Sequence, residues 1–323
     1  MRSLVIGGAG FIGSHLVDRL VERGPVTVFD DLSVGKLAFI EQPLASGRAT
    51  FVEGDVRVLE QIVAAAPGHD IVFHLAANPE ARRGLENTRL DLELGTIATY
   101  NALEAARLAS IPRFVLASSG TVYGETDRAC AELDLGELPI SLYGASKLAG
   151  EALVSAFVEC FSLRGNIFRF GNVVGPRGTH GAALDFLKKL EASHDRLEVL
   201  GDGRQAKPYL HVTDCVDAIL FSLDQQTPRL TVLNIAPHDT TSVREIAEMC
   251  VEASPYPTAR IEYTGGDRGW KGDVPRSRMN ASKLETLGYR LRYSSNEAVR
   301  TSVGQLAREV FGERARPLTS LSV

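Results

Sequence analysis

Tyr143-Gly-Ala-Ser-Lys147 sets a phenol and a primary amine four residues apart. On a helix that spacing puts both on one face. A second stretch, Gly7-Gly-Ala-Gly-Phe-Ile-Gly13, is rich enough in glycine to bring backbone N–H groups against a pyrophosphate. A base built from tyrosine and lysine beside a nicotinamide is machinery for taking a proton and a hydride from one carbinol, so the pair marks the chain as an enzyme. Free tyrosine titrates near 10 and is a poor base at neutral pH. A neighbouring Lys147 ammonium and a positive nicotinamide are expected to lower that value.

The glycine spacing is GxxGxxG, with Gly7, Gly10 and Gly13 after an apolar run and before a helical one. Asp30 closes the next apolar run, where a carboxylate can hold the hydroxyls of an adenosine ribose. The same carboxylate repels a 2′-phosphate, and no arginine follows at once, which favours NAD over NADP.

These residues need a frame. Residues 2–6 read as a buried strand, 11–23 as a helix, 26–29 and 50–52 as strands, 57–66 as a helix and 70–74 as a strand. A long helical periodicity covers 89–109 (Leu90, Leu94, Ile97, Leu103, Ala106). Strand 113–117 leads into Ser118-Ser119, a helix carries Tyr143 to about residue 160, and strand 165–170 follows. Alternating strand and helix call for a parallel, doubly wound sheet, whose ligands sit beyond the carboxyl ends of the strands. Gly10, Asp30, Asp55, Ala76 and Ser119 all fall at such ends. After about 172 the strands shorten and glycine and proline become denser, with helices expected near 182–191, 212–224, 241–253 and 296–309. The expected division is a nucleotide-binding domain over 1–171, with returns near 212–236, and a substrate lobe over 172–323. The tail after 312 reads as polar and loose.

The 323 residues suffice for two lobes, and 44% hydrophobic content fits a globular protein. A net charge of −5 gives no basic field for nucleic acid. Four scattered cysteines without CxxC spacing suit free thiols in a reducing, cytoplasmic setting. The seven histidines show no metal spacing. No apolar run is long enough to span a membrane, and the glycines after residue 6 argue against a signal peptide. Ser119, His74 and Asp55 could be imagined as a hydrolase triad, but no G-x-S-x-G elbow supports it.

With GGAGFIG, Asp30-Asp-Leu-Ser33, His74-Leu-Ala-Ala77, Ser118-Ser-Gly-Thr-Val-Tyr-Gly124, the YxxxK pair, Arg169-Phe-Gly-Asn-Val-Val-Gly-Pro176 and Gly201-Asp-Gly-Arg-Gln205, the chain resembles the extended short-chain dehydrogenase/reductases. Within them it resembles the NAD-dependent sugar-nucleotide epimerases and dehydratases, most of all the UDP-glucose (UDP-galactose) 4-epimerase branch. The resemblance implies a Rossmann-type doubly wound parallel sheet with a smaller C-terminal α/β substrate lobe. It implies bound NAD, a UDP-sugar substrate and a homodimer formed through the helices at 89–109 and 143–160. Tyr143, Lys147, Ser119 and Thr121 become the catalytic set. The cofactor set is Gly7, Gly10, Phe11, Ile12, Gly13, Asp30, Asp31, Ser33, Gly35, Asp55, Val56, Leu75, Ala76 and Ala77, together with Tyr143 and Lys147. Asn172 and Lys207 match positions used on a substrate diphosphate, and Tyr209 and Arg268 are candidates for base or phosphate.

The 4,6-dehydratases of this family carry Asp-Glu just before Val-Tyr-Gly, where this chain has Gly120-Thr121. That favours epimerisation at C4 through a 4-keto sugar, with a dehydratase beginning by the same oxidation as the alternative. Glu80, Glu125 and Asp127 remain carboxylates that another part of the chain could bring in. Thr96 departs from the asparagine usual in relatives, and Trp270 stands where their arginine falls, so Arg268 is the residue available to take over a phosphate.

Overall fold

The computed structural model describes residues 1–134 and 137–318. In chain order the elements are β1 (Ser3–Ile6), α1 (Phe11–Leu20), β2 (Val26–Asp30), α2 (Glu41–Ala45), β3 (Ala49–Glu53), α3 (Leu59–Ala65), β4 (Ile71–His74), α4 (Arg89–Asp91), α5 (Ala98–Leu108) and β5 (Arg113–Ser119). There follow β6 (Ala129–Cys130), α6 (Leu142–Phe161), β7 (Arg164–Phe170), β8 (Asn172–Val174), α7 (Ala182–Ser193), β9 (Arg196–Val199), β10 (Ala206–Lys207), β11 (Tyr209–His211) and α8 (Val212–Asp224). The chain continues through β12 (Leu230–Ile235), β13 (Thr241–Ser242), α9 (Val243–Ala253), β14 (Arg260–Tyr263), β15 (Arg278–Met279), α10 (Ser282–Thr286) and α11 (Ser295–Phe311).

The chain divides into two compact units: Met1–Gly124 with Leu135–Phe170 and Ile219–Asn234, and Glu125–Asp134 with Gly171–Ala218 and Ile235–Val323. Glu125–Asp134 thus belongs to the second unit, although it lies inside the 1–171 stretch read as the nucleotide domain.

The first unit is built on a seven-stranded sheet of order β12-β7-β5-β4-β1-β2-β3. Its pairings are parallel, for example Val5 with Val28 on one side and with Phe73 on the other. The strands are apolar on both faces because helices cover both. Leu4, Phe29, Val72, Phe114 and Ile167 meet Ala102, Leu103 and Ala106 of α5 and Val154 and Val158 of α6. The order reverses at β1, whose neighbours are β2 and β4, and this switch opens the crevice where such sheets bind ligands.

The 89–109 helix is not uniform. Between α4 and α5 the turns Leu92–Ile97 are a π-helix. The Thr99 hydroxyl donates back to Gly95 O at 2.5 Å, and a Cβ on Gly95 would stand 2.2 Å from Ser146 Oγ. The wide turn lets the backbone press against α6 where a regular turn with a side chain could not fit.

In the second unit α7, α9 and α11 bury Phe186, Leu187, Leu190, Ile246, Met249, Val299, Val303 and Leu306 against β9. Capping boxes at Ser242/Glu245 and Ser294/Glu297 start α9 and α11. The tail after 312 is fastened rather than loose as far as residue 318. Arg316 N donates to Ala253 O at 2.9 Å, and Ala315 and Leu318 pack on this core. Residues 319–323 of that tail lie outside the described residues.

Candidate active site

The first unit holds every residue of the cofactor and catalytic sets. β1 ends at Ile6 and the glycine turn begins at once. Gly7 takes a φ of +79°, and a Cβ there would stand 2.6 Å from Ala76 N. The backbone of Leu75 and Ala76 therefore lies directly against the turn, with both N–H groups donating to Ile6 O. Gly13 is demanded by packing, since its Cβ would fall 2.1 Å from Gly7 O. Gly10 is the N-cap of α1 and no side chain caps this end, so the first-turn N–H groups of Phe11, Ile12 and Gly13 are left for an anion. Asp30, 8% exposed, accepts from Ala9 N and Leu32 N, both at 2.9 Å. Those bonds aim the carboxylate and leave one lone pair on each oxygen for ribose hydroxyls. Burial raises the Asp30 carboxyl above its usual range. Gly35 lies beside it; a Cβ there would stand 2.9 Å from Asp30 Oδ1.

Other members of the cofactor set are less free. Asp31 accepts from Ser33 N and Ser33 Oγ, which shapes their loop. Asp55 pairs with Arg57 at 2.6 Å, and that guanidinium holds its carboxyl below the usual range. Val56 is buried, while Leu75, Ala76 and Ala77 stay half-buried along the crevice. A close glycine turn, an uncapped helix end and an acid at the tip of β2 fit a dinucleotide with a free 2′-hydroxyl.

Ser119 is the last residue of β5, and its hydroxyl accepts from Thr121 N at 3.2 Å, capping a 3₁₀ turn over Gly120–Tyr123. Thr121 Oγ1 is buried and has no partner among the described residues. Tyr143 and Lys147 stand on the first turns of α6, which starts where Ser141 Oγ accepts from Gly144 N. Lys147, 5% exposed, donates from Nζ to Ala117 O at 2.8 Å and lies 5.6 Å from the centre of the Tyr143 ring.

The electrostatics of this pair depart from the sequence expectation. Burial pushes the Tyr143 phenol up to about 12; Asp91 adds to the rise and a hydrogen bond with Ser119 opposes it. Burial lowers Lys147 to about 8, while Asp91 and Glu151 hold it up. Lys147 therefore does not by itself make a phenolate, because its ammonium leans on Ala117 and crowding by protein outweighs it. His74 is driven down to about 3 by burial and then by Lys147, so its imidazole is neutral.

Beneath the pair runs a buried ionic network. Arg169 grips Glu151 from Nε at 2.9 Å and from its terminal nitrogen at 2.6 Å, and Ser118 Oγ donates to the same carboxylate at 2.5 Å. Arg169 also donates to Tyr123 Oη, which donates to Asn234. Neither this network nor the buried Asp91 was picked out from the sequence. For Glu151 the signal was available, four residues after Lys147 on the same helix face.

The four substrate candidates all lie in the second unit. Asn172 is exposed at the start of β8, in register with Tyr209 of β11. Tyr209 is 6% exposed within the second core, so it is foremost a packing residue, and burial raises its phenol. Lys207 pairs with Asp273 at 2.5 Å. Arg268 is committed to Glu125, with 2.9 Å contacts to both carboxylate oxygens, and to Asp273 O at 2.7 Å. Arg268 and Lys207 are thus both engaged with carboxylates of their own unit. The Arg268 clasp also occupies Glu125, while Glu80 is paired with Arg82 at the surface. Asp127 lines a 260 Å³ cavity of the second unit with Arg204, Gln205 and Arg276.

Comparison with known proteins follows the same lines. The profile of the NAD dependent epimerase/dehydratase family matches residues 3–236. A putative UDP-glucose 4-epimerase from Methanocaldococcus jannaschii is 30% identical over 308 residues, covering 93% of this chain and 96% of the relative. A crystal structure of a UDP-galactose 4-epimerase superposes with a TM-score of 0.86 at 36% identity, over 96% of this chain and 100% of the other. The UDP-glucose 4-epimerase of Thermus thermophilus, solved with NAD, gives 0.82 at 29% identity, over 95% and 99%. A dTDP-glucose 4,6-dehydratase from Streptomyces venezuelae, also with NAD, gives 0.85 at 26% identity, over 97% and 98%. The chain, with its dinucleotide turn at the sheet's switch point and its tyrosine–lysine pair beside Ser119, belongs to the NAD-dependent epimerase/dehydratase family.

Proposed function

We propose that the protein is a UDP-hexose 4-epimerase that works through bound NAD and a transient 4-keto sugar. The observation that carries this reading is Tyr143 standing with Ser119 and Lys147 at the carboxyl end of β5 without a paired acid at Gly120-Thr121. Bound NAD would accept the C4 hydride and return it to the opposite face of the sugar. Tyr143 takes the proton of the 4-hydroxyl and gives it back at the end of the cycle, so the net reaction is inversion alone. Ser119 donates to the reacting oxygen and steadies the charge that develops there. The partnerless Thr121 hydroxyl is assigned to a second sugar oxygen. The positive end of α6, on whose first turn Tyr143 sits, favours the phenolate. Asn172 and Lys207 are assigned to the diphosphate, although Lys207 is paired with Asp273.

The dehydratase reading, supported by likeness to the Streptomyces enzyme, needs an acid and a base at C5 and C6. Glu125 and Glu80 are engaged with arginines, which weighs against it. We assign a homodimer to the protein on the apolar side chains that α5, α6 and the π-turn leave exposed, among them Leu92, Tyr100, Leu108 and Phe161. Incubating the purified protein with UDP-glucose or UDP-galactose and following the sugar by NMR tests the function. The expected product is the C4 diastereomer; an alkene or a stable deoxy-keto sugar would transfer the assignment to the dehydratases.

A further inference from the structure

Asp91 closes α4, immediately before the π-turn, and is 1% exposed. A carboxylate so placed needs partners. Its Oδ1 accepts from Asn78 Nδ2 at 3.0 Å, and the same amide group donates to Glu80 O, which fixes the asparagine. Its Oδ2 is buried with no hydrogen-bond partner among the described residues. The backbone around it is drawn tight against α6. A Cβ on Gly84 would stand 2.3 Å from Asp91 Oδ2 and 3.6 Å from Leu142 Cβ, and Gly95 abuts Ser146. Leu142 and Ser146 immediately precede Tyr143 and Lys147, so the segment bearing Asp91 is moulded to the two turns that carry the pair.

We propose that Asp91 is a positioning residue of the Tyr143–Lys147 pair: a carboxylate tethered by Asn78 against the start of α6, whose negative charge keeps Lys147 an ammonium. This rests on the epimerase-type reading of the pair. Asp91 favours the charged form of Lys147 and disfavours that of Tyr143. Burial raises the Asp91 carboxyl above its ordinary value, and the Asn78 amide and then Lys147 oppose that rise in favour of the carboxylate. Of the surrounding ionisable groups, Glu151 also favours the charged form of Lys147, after Asp91. His74 on β4 is neutral. Glu151 on α6 is divided between Arg169 of β7 and Ser118 of β5. Glu93 on the π-turn pairs with Arg89, Glu80 pairs with Arg82, and Arg83 and Glu86 are exposed. Asp91 thus offers a buried oxygen without a partner among the described residues, near a lysine that burial lowers and Asp91 holds up.

The chain has only seven lysines, so lysine-selective isotope labelling resolves Lys147 by NMR in the NAD-loaded protein, with the signal assigned by its loss in Lys147→Arg. The protein's own groups put Lys147 at about 8, and the NAD-loaded wild type supplies the reference midpoint. In Asp91→Asn its midpoint should fall by about one pH unit, and both limbs of the kcat/KM pH profile should move the same way. Asp91→Glu should restore most of the difference. An unmoved Lys147 midpoint in Asp91→Asn overturns the proposal. If that variant does not fold, Asn78→Ala keeps the carboxylate and loses its tether; a smaller shift in the same direction supports the proposal and none overturns it. The titration needs no turnover, so inactivity toward UDP-sugars would sink the epimerase reading and leave this result standing.

Discussion

At the level of single residues, the proposed reaction asks the Tyr143 phenol to become a base although its surroundings resist. The groups of the protein put Tyr143 at about 12, and only the Ser119 hydrogen bond pulls the other way. The remaining stabilisation has to come from positive charge at the nicotinamide and from the N-terminal end of α6. Tyr143→Phe should therefore bind NAD as before and lose turnover by about 10² to 10⁴-fold, the usual range for a positioned acid–base group. Full activity in steady-state assays with NAD-loaded protein would remove Tyr143 from the chemistry. Asp30 has a simpler task, held by two backbone N–H groups at the tip of β2. Asp30→Ala should weaken NAD binding and narrow its advantage over NADP. Calorimetric titration with both dinucleotides checks this, and an unaltered preference would place the ribose contact elsewhere.

At the level of elements, α6 is the part on which the chemistry depends, and it is tied to the sheet by charge as well as by apolar packing. Glu151 binds Arg169 of β7 and Ser118 of β5, with both members of the ion pair nearly inaccessible to water. Removing one member of such a pair leaves the other charged and dry. Glu151→Ala should cost about 3–5 kcal/mol in denaturant unfolding of the apoprotein. A loss below about 1 kcal/mol, as expected of an exposed pair, would show that the network does not hold α6. The same element shows where sequence reading loses resolution. The periodicity over 89–109 announced a helix, but the π-turn at Leu92–Ile97 sets Gly95 against Ser146, a residue about 50 positions away. Local pattern carries no trace of a neighbour that only folding supplies.

For the whole molecule, the exposed apolar side chains of α5 and α6 set the expected assembly. Leu108 is 52% exposed, Phe161 50% and Tyr100 43%. Phe161 packs edge-on against Phe157 and lies under Arg107, and Tyr100 meets the same Phe157 ring. Leu108→Glu should convert a dimer to a monomer in sedimentation velocity while NAD binding persists. A wild type that sediments as a monomer would end this assignment.

The amino-acid order by itself determined the doubly wound sheet, the glycine turn, Asp30 at the tip of β2 and the tyrosine–lysine pair. Each depends on short-range pattern: a short continuous apolar run for a buried strand, a four-residue period for helix faces, glycine where no Cβ fits. Only the tertiary structure decided which charges meet. It engaged Arg268 with Glu125 and Lys207 with Asp273, fastened the chain as far as residue 318, and set Asp91 in the dry surroundings of Tyr143 and Lys147. The physical reason is that a carboxylate's role is set by how much water it loses and which cation remains near it. Both are properties of distances across the fold, which a linear pattern of residue types does not contain.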